Sequence, residues 1–420
     1  MKFYTIKEIA EICKVSQKTV RRQISADFLK AKKIGNQWRI KEEDFKNWVD
    51  KDFNEMEKKE INNWINNNIN SKSNISNDEK KQNDIDEVNW VDISDEWERN
   101  ELDNGFNYID LFSGAGGLSL GFKQAGFKGL AGVEIMDKAA DTYRTYFDHP
   151  VIEGDIREEE SKQKLYDLVK NKEIDVICGG FPCKGFSLSG YRIITDSRNN
   201  LYKEMLEVVS RLKPKFIMME NVVGLRSMLD GKVEEKIIND FEKIGYKINV
   251  TVLNSADYYV PQVRRRVIFI GNRLNKTNYH PNPLIEKENH RTIKDAIEDL
   301  IDHPKDKEFN HVPTRHSKDM KERLAAVEEG NSLYGNYSDA WKKSPWLEPS
   351  CTVKENHGGV NIHPKLPRVI TAREMARLQS FPDDFIFKGA KKWQLKQLGN
   401  AVPPLLAKAI AIAIEKSLKS

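Results

Sequence analysis

Tyr108-Ile109-Asp110-Leu111-Phe112-Ser113-Gly114-Ala115-Gly116-Gly117 runs from a strand pattern into a glycine turn, and Leu118 to Gln124 opens a helix. Glycines at such a turn let a ligand sit against the backbone. One glycine turn is a weak signal by itself. Here it is followed by Leu130-Ala131-Gly132-Val133-Glu134, a second strand ending in an acid, and by Gly154-Asp155-Ile156, a third strand end with a carboxylate. Strand, turn and helix in repeated order predict an open parallel α/β sheet whose ligand crevice lies along the C-terminal strand ends. In such a crevice the acid of the second strand takes ribose hydroxyls, and the third strand end can read an adenine amino group.

Further along, Ile174-Asp175-Val176-Ile177-Cys178 reads as another strand and delivers Gly179-Gly180-Phe181-Pro182-Cys183-Lys184-Gly185-Phe186-Ser187 to the same edge. Cys178 falls inside the strand and reads as core. Cys183 sits between a proline and a lysine with glycines on both sides, a setting for a nucleophile, which a nearby cation and loop amides would activate. Phe216-Ile217-Met218-Met219-Glu220-Asn221-Val222 is a buried strand that brings a carboxylate to the edge, so Glu220 and Cys183 are expected to face one ligand. Gln262-Val263-Arg264-Arg265-Arg266-Val267 leads into the strand Ile268-Phe269-Ile270, and period-two alternation puts Arg264 and Arg266 on one side, able to hold phosphate and base.

These stretches, with Asp196-Ser197-Arg198-Asn199-Asn200-Leu201, Arg368 to Pro382 and Gln397-Leu398-Gly399-Asn400-Ala401-Val402-Pro403-Pro404, resemble the motifs of the cytosine-5 DNA methyltransferases of bacterial restriction-modification systems, in family order over residues 106–420. The resemblance implies a Rossmann-like S-adenosylmethionine-dependent sheet with a smaller mixed target-recognition domain. It makes Cys183 the nucleophile that adds to carbon 6 of a flipped cytosine in duplex DNA, and Glu220 the acid at ring nitrogen 3. Arg264 would hold the carbonyl at carbon 2, with Arg266 beside it as a further catalytic arginine. S-adenosylmethionine would lie on Phe112, Ser113, Gly114, Ala115, Gly116, Gly117, Glu134, Asp155, Ile156, Pro182, Leu201, Asn400 and Val402. Lys184 and Ser187 would meet the DNA; Lys184 stands where the family usually has Gln, which changes how this loop fills the emptied base position.

The chain has 420 residues and a net charge of +4, with 39% hydrophobic side chains, which suits two or three soluble domains. No signal peptide and no apolar run long enough to span a membrane is read, so the expected location is cytoplasmic with no membrane partner. Cys13, Cys178, Cys183 and Cys351 form no Cys-x-x-Cys pair, which argues against a disulfide framework and a cysteine-held metal. Residues 1–50 carry 12 Lys/Arg against 7 Asp/Glu, whereas residues 51–105 carry 7 against 15. The basic head resembles the winged helix-turn-helix of excisionase and MerR-type proteins. Thr5 can cap a first helix, and Ser16 a second that offers Gln17, Lys18, Arg21 and Arg22 to DNA. Gly35-Asn36 turns a hairpin wing, and a helix follows through Phe45, Trp48 and Val49.

Five segments result: the winged helix-turn-helix (1–50), an acidic Asn-rich linker (51–105), the catalytic and cofactor domain (106–271), the target-recognition domain (272–365), and C-terminal motifs completing the catalytic domain (366–420). No base-contacting residue in 272–365 can be named from the family. The head fits a modification enzyme that represses its own operon through an operator, or one that is tethered to a second site. Two other functions stay open on sequence: a transcriptional regulator with a vestigial methyltransferase, and an RNA cytosine-5 methyltransferase.

Overall fold

Strands buried on both faces become near-continuous apolar runs, and their alternate side chains feed two separate cores. The structure is a computed structural model that describes residues 3–6, 9–10, 13, 19–20, 23–24, 28–34, 37–52, 88–99, 103–182, 201–334, 341–354 and 361–420. They divide into two units, Met1–Asp86 and Glu87–Ser420.

In the first unit, β1 (Phe3–Tyr4), β2 (Lys32–Ile34) and β3 (Gln37–Lys41) form an antiparallel sheet in the order β1-β3-β2. Ile34 pairs with Gln37, which leaves two residues to turn the hairpin; Gly35 and Asn36 themselves lie outside the described residues. Backbone at Ile9, Ala10, Thr19, Val20, Gln23 and Ile24 is helical, and a helix over Glu42–Asp52 buries Phe45, Trp48 and Val49 against Tyr4, Ile40 and Val20.

The second unit begins with β4 (Asn89–Val91) and a short helix, Ser94–Trp97. Its main sheet comprises β5 (Asn107–Leu111), β6 (Lys128–Glu134), β7 (Val151–Glu153), β8 (Val176–Gly179), β9 (Phe216–Val222), β10 (Lys247–Asn254) and β11 (Arg265–Asn272). The order is β10-β11-β9-β8-β5-β6-β7, and β11 alone runs against its neighbours. Ile109, Leu111, Ile177, Ile217, Met219, Val267 and Phe269 point into one core, where helices Glu159–Leu168, Leu201–Leu212 and Lys232–Glu242 cover them. Tyr108, Val176, Cys178, Phe216, Met218, Ile268 and Ile270 point into the other, under helices Gly117–Gln124 and Pro404–Lys419.

Residues 391–419 are apolar enough to cross a membrane by composition, but the helix breaks at Ala401–Pro403, and Leu406, Ala409, Ile410, Ala413 and Ile414 are buried in this second core. A core helix explains that composition. A third core joins Ala140, Tyr143 and Phe147 to Ile293, Ile297, Leu300, Trp346, Val353, Met375, Phe381 and Phe385, and so packs the region after β11 onto the β6–β7 side of the sheet.

The linker expected to end at residue 105 ends earlier. β4 pairs in parallel with β12 (Tyr279–Pro281), Trp97 stacks on Tyr259 at 5.9 Å, and the Arg99 guanidinium pairs with Glu415 on the C-terminal helix. Residues 88–99 are a strap on the catalytic unit. The acidic composition of the whole stretch concealed it.

Candidate active site

Parallel strands place their last residues along one edge, and four of them carry chemistry there. At the end of β5 the chain turns sharply: Phe112 has φ 60°, Gly114 56° and Gly116 101°, a left-handed run that suits glycine and strains Phe112. The Gly114 amide donates to Glu134 Oε2 at 2.8 Å, and the Met136 amide donates to Glu134 Oε1 at 2.8 Å. The glycine turn and the acid of the second strand are thus one hydrogen-bonded unit. Burial pushes the Glu134 carboxyl above its usual range, with the two amides acting in the opposite direction. A Cβ on Gly114 would meet nothing within 4 Å, so open space lies over the turn, whereas a Cβ on Gly117 would come within 2.2 Å of the Val402 carbonyl. An open cradle floored by glycines and edged by an acid fits a nucleoside-bearing cofactor.

Ser113 and Ala115 are buried in the turn, and Ile156 is buried below it. Asp155 is committed to a neighbour: the Arg157 guanidinium and amide donate to its carboxylate, which holds its pKa below the usual value. Reading an adenine would require Asp155 to share or leave that pair.

On the other half of the edge, Glu220 is 9% exposed and its Oε1 accepts from Arg266 Nε at 2.8 Å. The antiparallel register explains the meeting, because Ile268 stands opposite Glu220 and Arg266 opposite Val222, so Glu220 and Arg266 are diagonal neighbours on one face. Arg266 also donates to the Arg265 carbonyl. Next to them the Asn221 side chain donates to the Phe181 carbonyl at 3.0 Å, which ties β9 to the turn that carries Pro182. A Cβ on Gly180 would approach Glu220 Oε2 to 3.2 Å. Leu201 opens its helix against the core below. Cys183, Lys184 and Ser187 lie outside the described residues, as do Gln17, Lys18, Arg21 and Arg22 of the head.

A family model described as C-5 cytosine-specific DNA methylase matches residues 106–416. The chain belongs to that family. As a cytosine-5 DNA methyltransferase it also carries a match to a helix-turn-helix domain model over residues 3–52. It is similar to the Type II methyltransferase M1.HphI of Haemophilus parahaemolyticus, 42% identical across 74% of this chain and 86% of that protein. The Type II methyltransferase M.DdeI of Desulfomicrobium norvegicum is 36% identical across 73% of this chain and 87% of its own length. A solved structure of a prophage-encoded DNA modification methyltransferase from E. coli superposes with TM-score 0.62 at 30% identity, covering 75% of this chain and all of that one.

In this methyltransferase the two motif arginines part company. Arg266 meets Glu220, whereas Arg264 is buried and donates to the carbonyls of Val353, Gly399 and Ala401. Period two put both on one face; it could not say which would reach the edge. Asn400 is exposed at the end of helix Lys391–Asn400, and Val402 is buried against Gly117.

Sequence reasoning also passed over a buried polar chain behind the glycine turn. Ser119 donates to Asp110 at 2.7 Å and meets the Tyr143 hydroxyl at 2.7 Å, and that hydroxyl meets His149 at 2.6 Å. Burial raises Asp110 to about 7 and lowers His149 to about 4. The spacing of these residues carries no periodic signal that would have united them. No cluster of His, Cys, Asp or Glu fit to hold a metal occurs among the described residues.

Proposed function

We propose that the protein transfers a methyl group from S-adenosylmethionine to carbon 5 of a cytosine flipped out of a specific DNA duplex, as the modification enzyme of a restriction-modification system. The observation that carries this reading is the Glu220–Arg266 pair at 2.8 Å, set beside the Phe181–Pro182 turn and on the same strand edge as the Gly114–Glu134 cradle. Glu134 would take the ribose hydroxyls, the Ser113–Gly117 turn the methionine portion, and Asn400 with Val402 the remaining wall. When bound, the cofactor supplies an activated methyl group on sulfur.

Carbon 5 of cytosine is a poor nucleophile until the ring gains electrons. Cys183 thiolate adds to carbon 6, and the charge pushed toward ring nitrogen 3 is met there by Glu220. Arg266 holds Glu220 in place and is the arginine positioned for the carbonyl at carbon 2. Once carbon 5 has gained the methyl group, its proton passes to a base, the 5,6 double bond re-forms, and Cys183 leaves as thiolate. The target carbon is inaccessible within a duplex, so flipping costs about a few kcal/mol, offset by contacts in the pocket.

The decisive test is bisulfite sequencing of DNA from cells expressing the protein, paired with trapping on a duplex containing 5-fluorocytosine. Parent enzyme should modify one sequence context and form a covalent adduct, and Cys183→Ala should do neither. Transfer surviving in Cys183→Ala would end the mechanism.

The helix-turn-helix match over residues 3–52, folded as its own unit, supports a second DNA activity. We propose that it binds an operator near the protein's own promoter. Footprinting should show protection that Arg21→Ala or Arg22→Ala removes with methylation intact, and that weakens steeply with salt.

A further inference from the structure

Arg264 is 3% exposed, yet no carboxylate lies within ion-pair distance of it among the described residues, and its Nε has no hydrogen-bond partner. Burying a guanidinium without a direct ion-pair partner is costly even with the favourable field of Glu220, so the residue there has work that a neutral one would not do. That work is visible in its two arms. One terminal nitrogen donates to Val353 O at 3.2 Å, and the other to Gly399 O at 3.1 Å and Ala401 O at 2.9 Å. The last two carbonyls flank Asn400.

Gln379 adds a third hold on the same turn, donating to Leu398 O at 2.6 Å, and Gln262 joins the two systems by donating to Gln379 Oε1 while accepting from Val353 N. The residue after Ala401 is Val402, whose carbonyl abuts Gly117. Any movement of the turn therefore reaches the cofactor cradle directly.

We infer that Arg264 is a positioning residue of the cofactor pocket: its fork fixes the Asn400 turn against the glycine cradle and locks it to Val353, within the segment expected to recognise the target. This rests on the methyltransferase reading above. It departs from the role in which Arg264 grips the base, and assigns that position to Arg266 alone. A lysine cannot replace it fully, because an ammonium can serve one carbonyl group of the turn but cannot span both arms.

The test uses the full-length protein and three variants, Arg264→Lys, Asn400→Ala and the double, with S-adenosylmethionine affinity measured by calorimetry and cofactor-free duplex affinity by mobility shift. Arg264→Lys should raise the cofactor Kd about tenfold, as expected for losing one charge-assisted hydrogen bond, and leave duplex affinity unchanged. Because Arg264 and Asn400 act on one turn, the double variant should lose less affinity than the sum of the two single losses.

Additive losses in the double would overturn the inference, as would a duplex defect with normal cofactor binding, which would return Arg264 to the base. Gln379→Leu, which loosens the turn from the other side, should weaken the cofactor in the same direction; unchanged affinity there also counts against the inference. A parent enzyme that binds no S-adenosylmethionine would instead overturn the function itself.

Discussion

The two halves of the binding edge are assembled by different means. On the β5–β6 side, Gly114 lies just past its strand and bonds the carboxylate that ends the next strand, so a strand, a turn and a helix close in sequence supply most of the cradle. On the β8–β9–β11 side nothing is local. Glu220 is held by an arginine from a strand inserted backwards between β9 and β10, and its neighbour Asn221 is tied to the Phe181 carbonyl. On the proposed function, the chemistry concentrates in the half with long-range supports, and a local glycine turn and acid supply the other. The halves should therefore fail separately.

The largest expected effect is on the long-range half. Glu220→Gln removes the acid and leaves the buried Arg266 without its anion, so methyl transfer should fall by about 10²–10⁴ while calorimetry finds cofactor affinity preserved. Equal loss of both would show that the halves are one cooperative site.

Next in size is the strap. Deleting residues 1–87 should leave the melting temperature of the catalytic unit unchanged, whereas deleting 1–102 strips Trp97 from Tyr259 and Arg99 from Glu415, a loss on the order of 2–3 kcal/mol from the tryptophan alone. Scanning calorimetry of the two truncations separates them, and identical melting would demote the strap to decoration.

On the local half, Glu134→Ala should weaken S-adenosylmethionine by about 1–3 kcal/mol, with duplex binding intact. Isothermal titration reads both.

The smallest effect sharpens the picture of that half. Burial holds the Asp110 carboxyl up at about 7, so the fold keeps a proton that the unfolded chain releases near pH 4. This contribution to stability is complete below that lower value and is lost as pH rises through about 7. The parent should therefore lose stability relative to Asp110→Asn between about pH 4 and pH 7, by at most about 1.4 kcal/mol per unit, in paired thermal melts. Parallel profiles would place the proton elsewhere.

Strand patterns from Tyr108 to Ile270 and the glycine turn could be read from the sequence because both faces of the sheet are buried and each turn needs backbone only glycine tolerates cheaply. Register could not: nothing in Arg265–Asn272 announces that it runs opposite to its neighbours, and that reversal alone brings Arg266 to Glu220. Asp155 was placed by its position at a strand end, but its tie to Arg157 depends on a side-chain geometry no periodicity encodes. Composition averaged over 51–105 hid the strap for a related reason, since a few docked residues are outweighed by their polar neighbours.

The contact between Gly117 and Val402 has a consequence for a chain still being made. The cradle is translated early, but its wall and the helix Pro404–Lys419 that covers the sheet leave the ribosome only after the target-recognition region has emerged. A nascent or prematurely terminated polypeptide would hold Cys183 and Glu220 yet lack the Val402 wall beside the glycine turn. On the proposed function, chains cut short of Val402 should be silent rather than promiscuous.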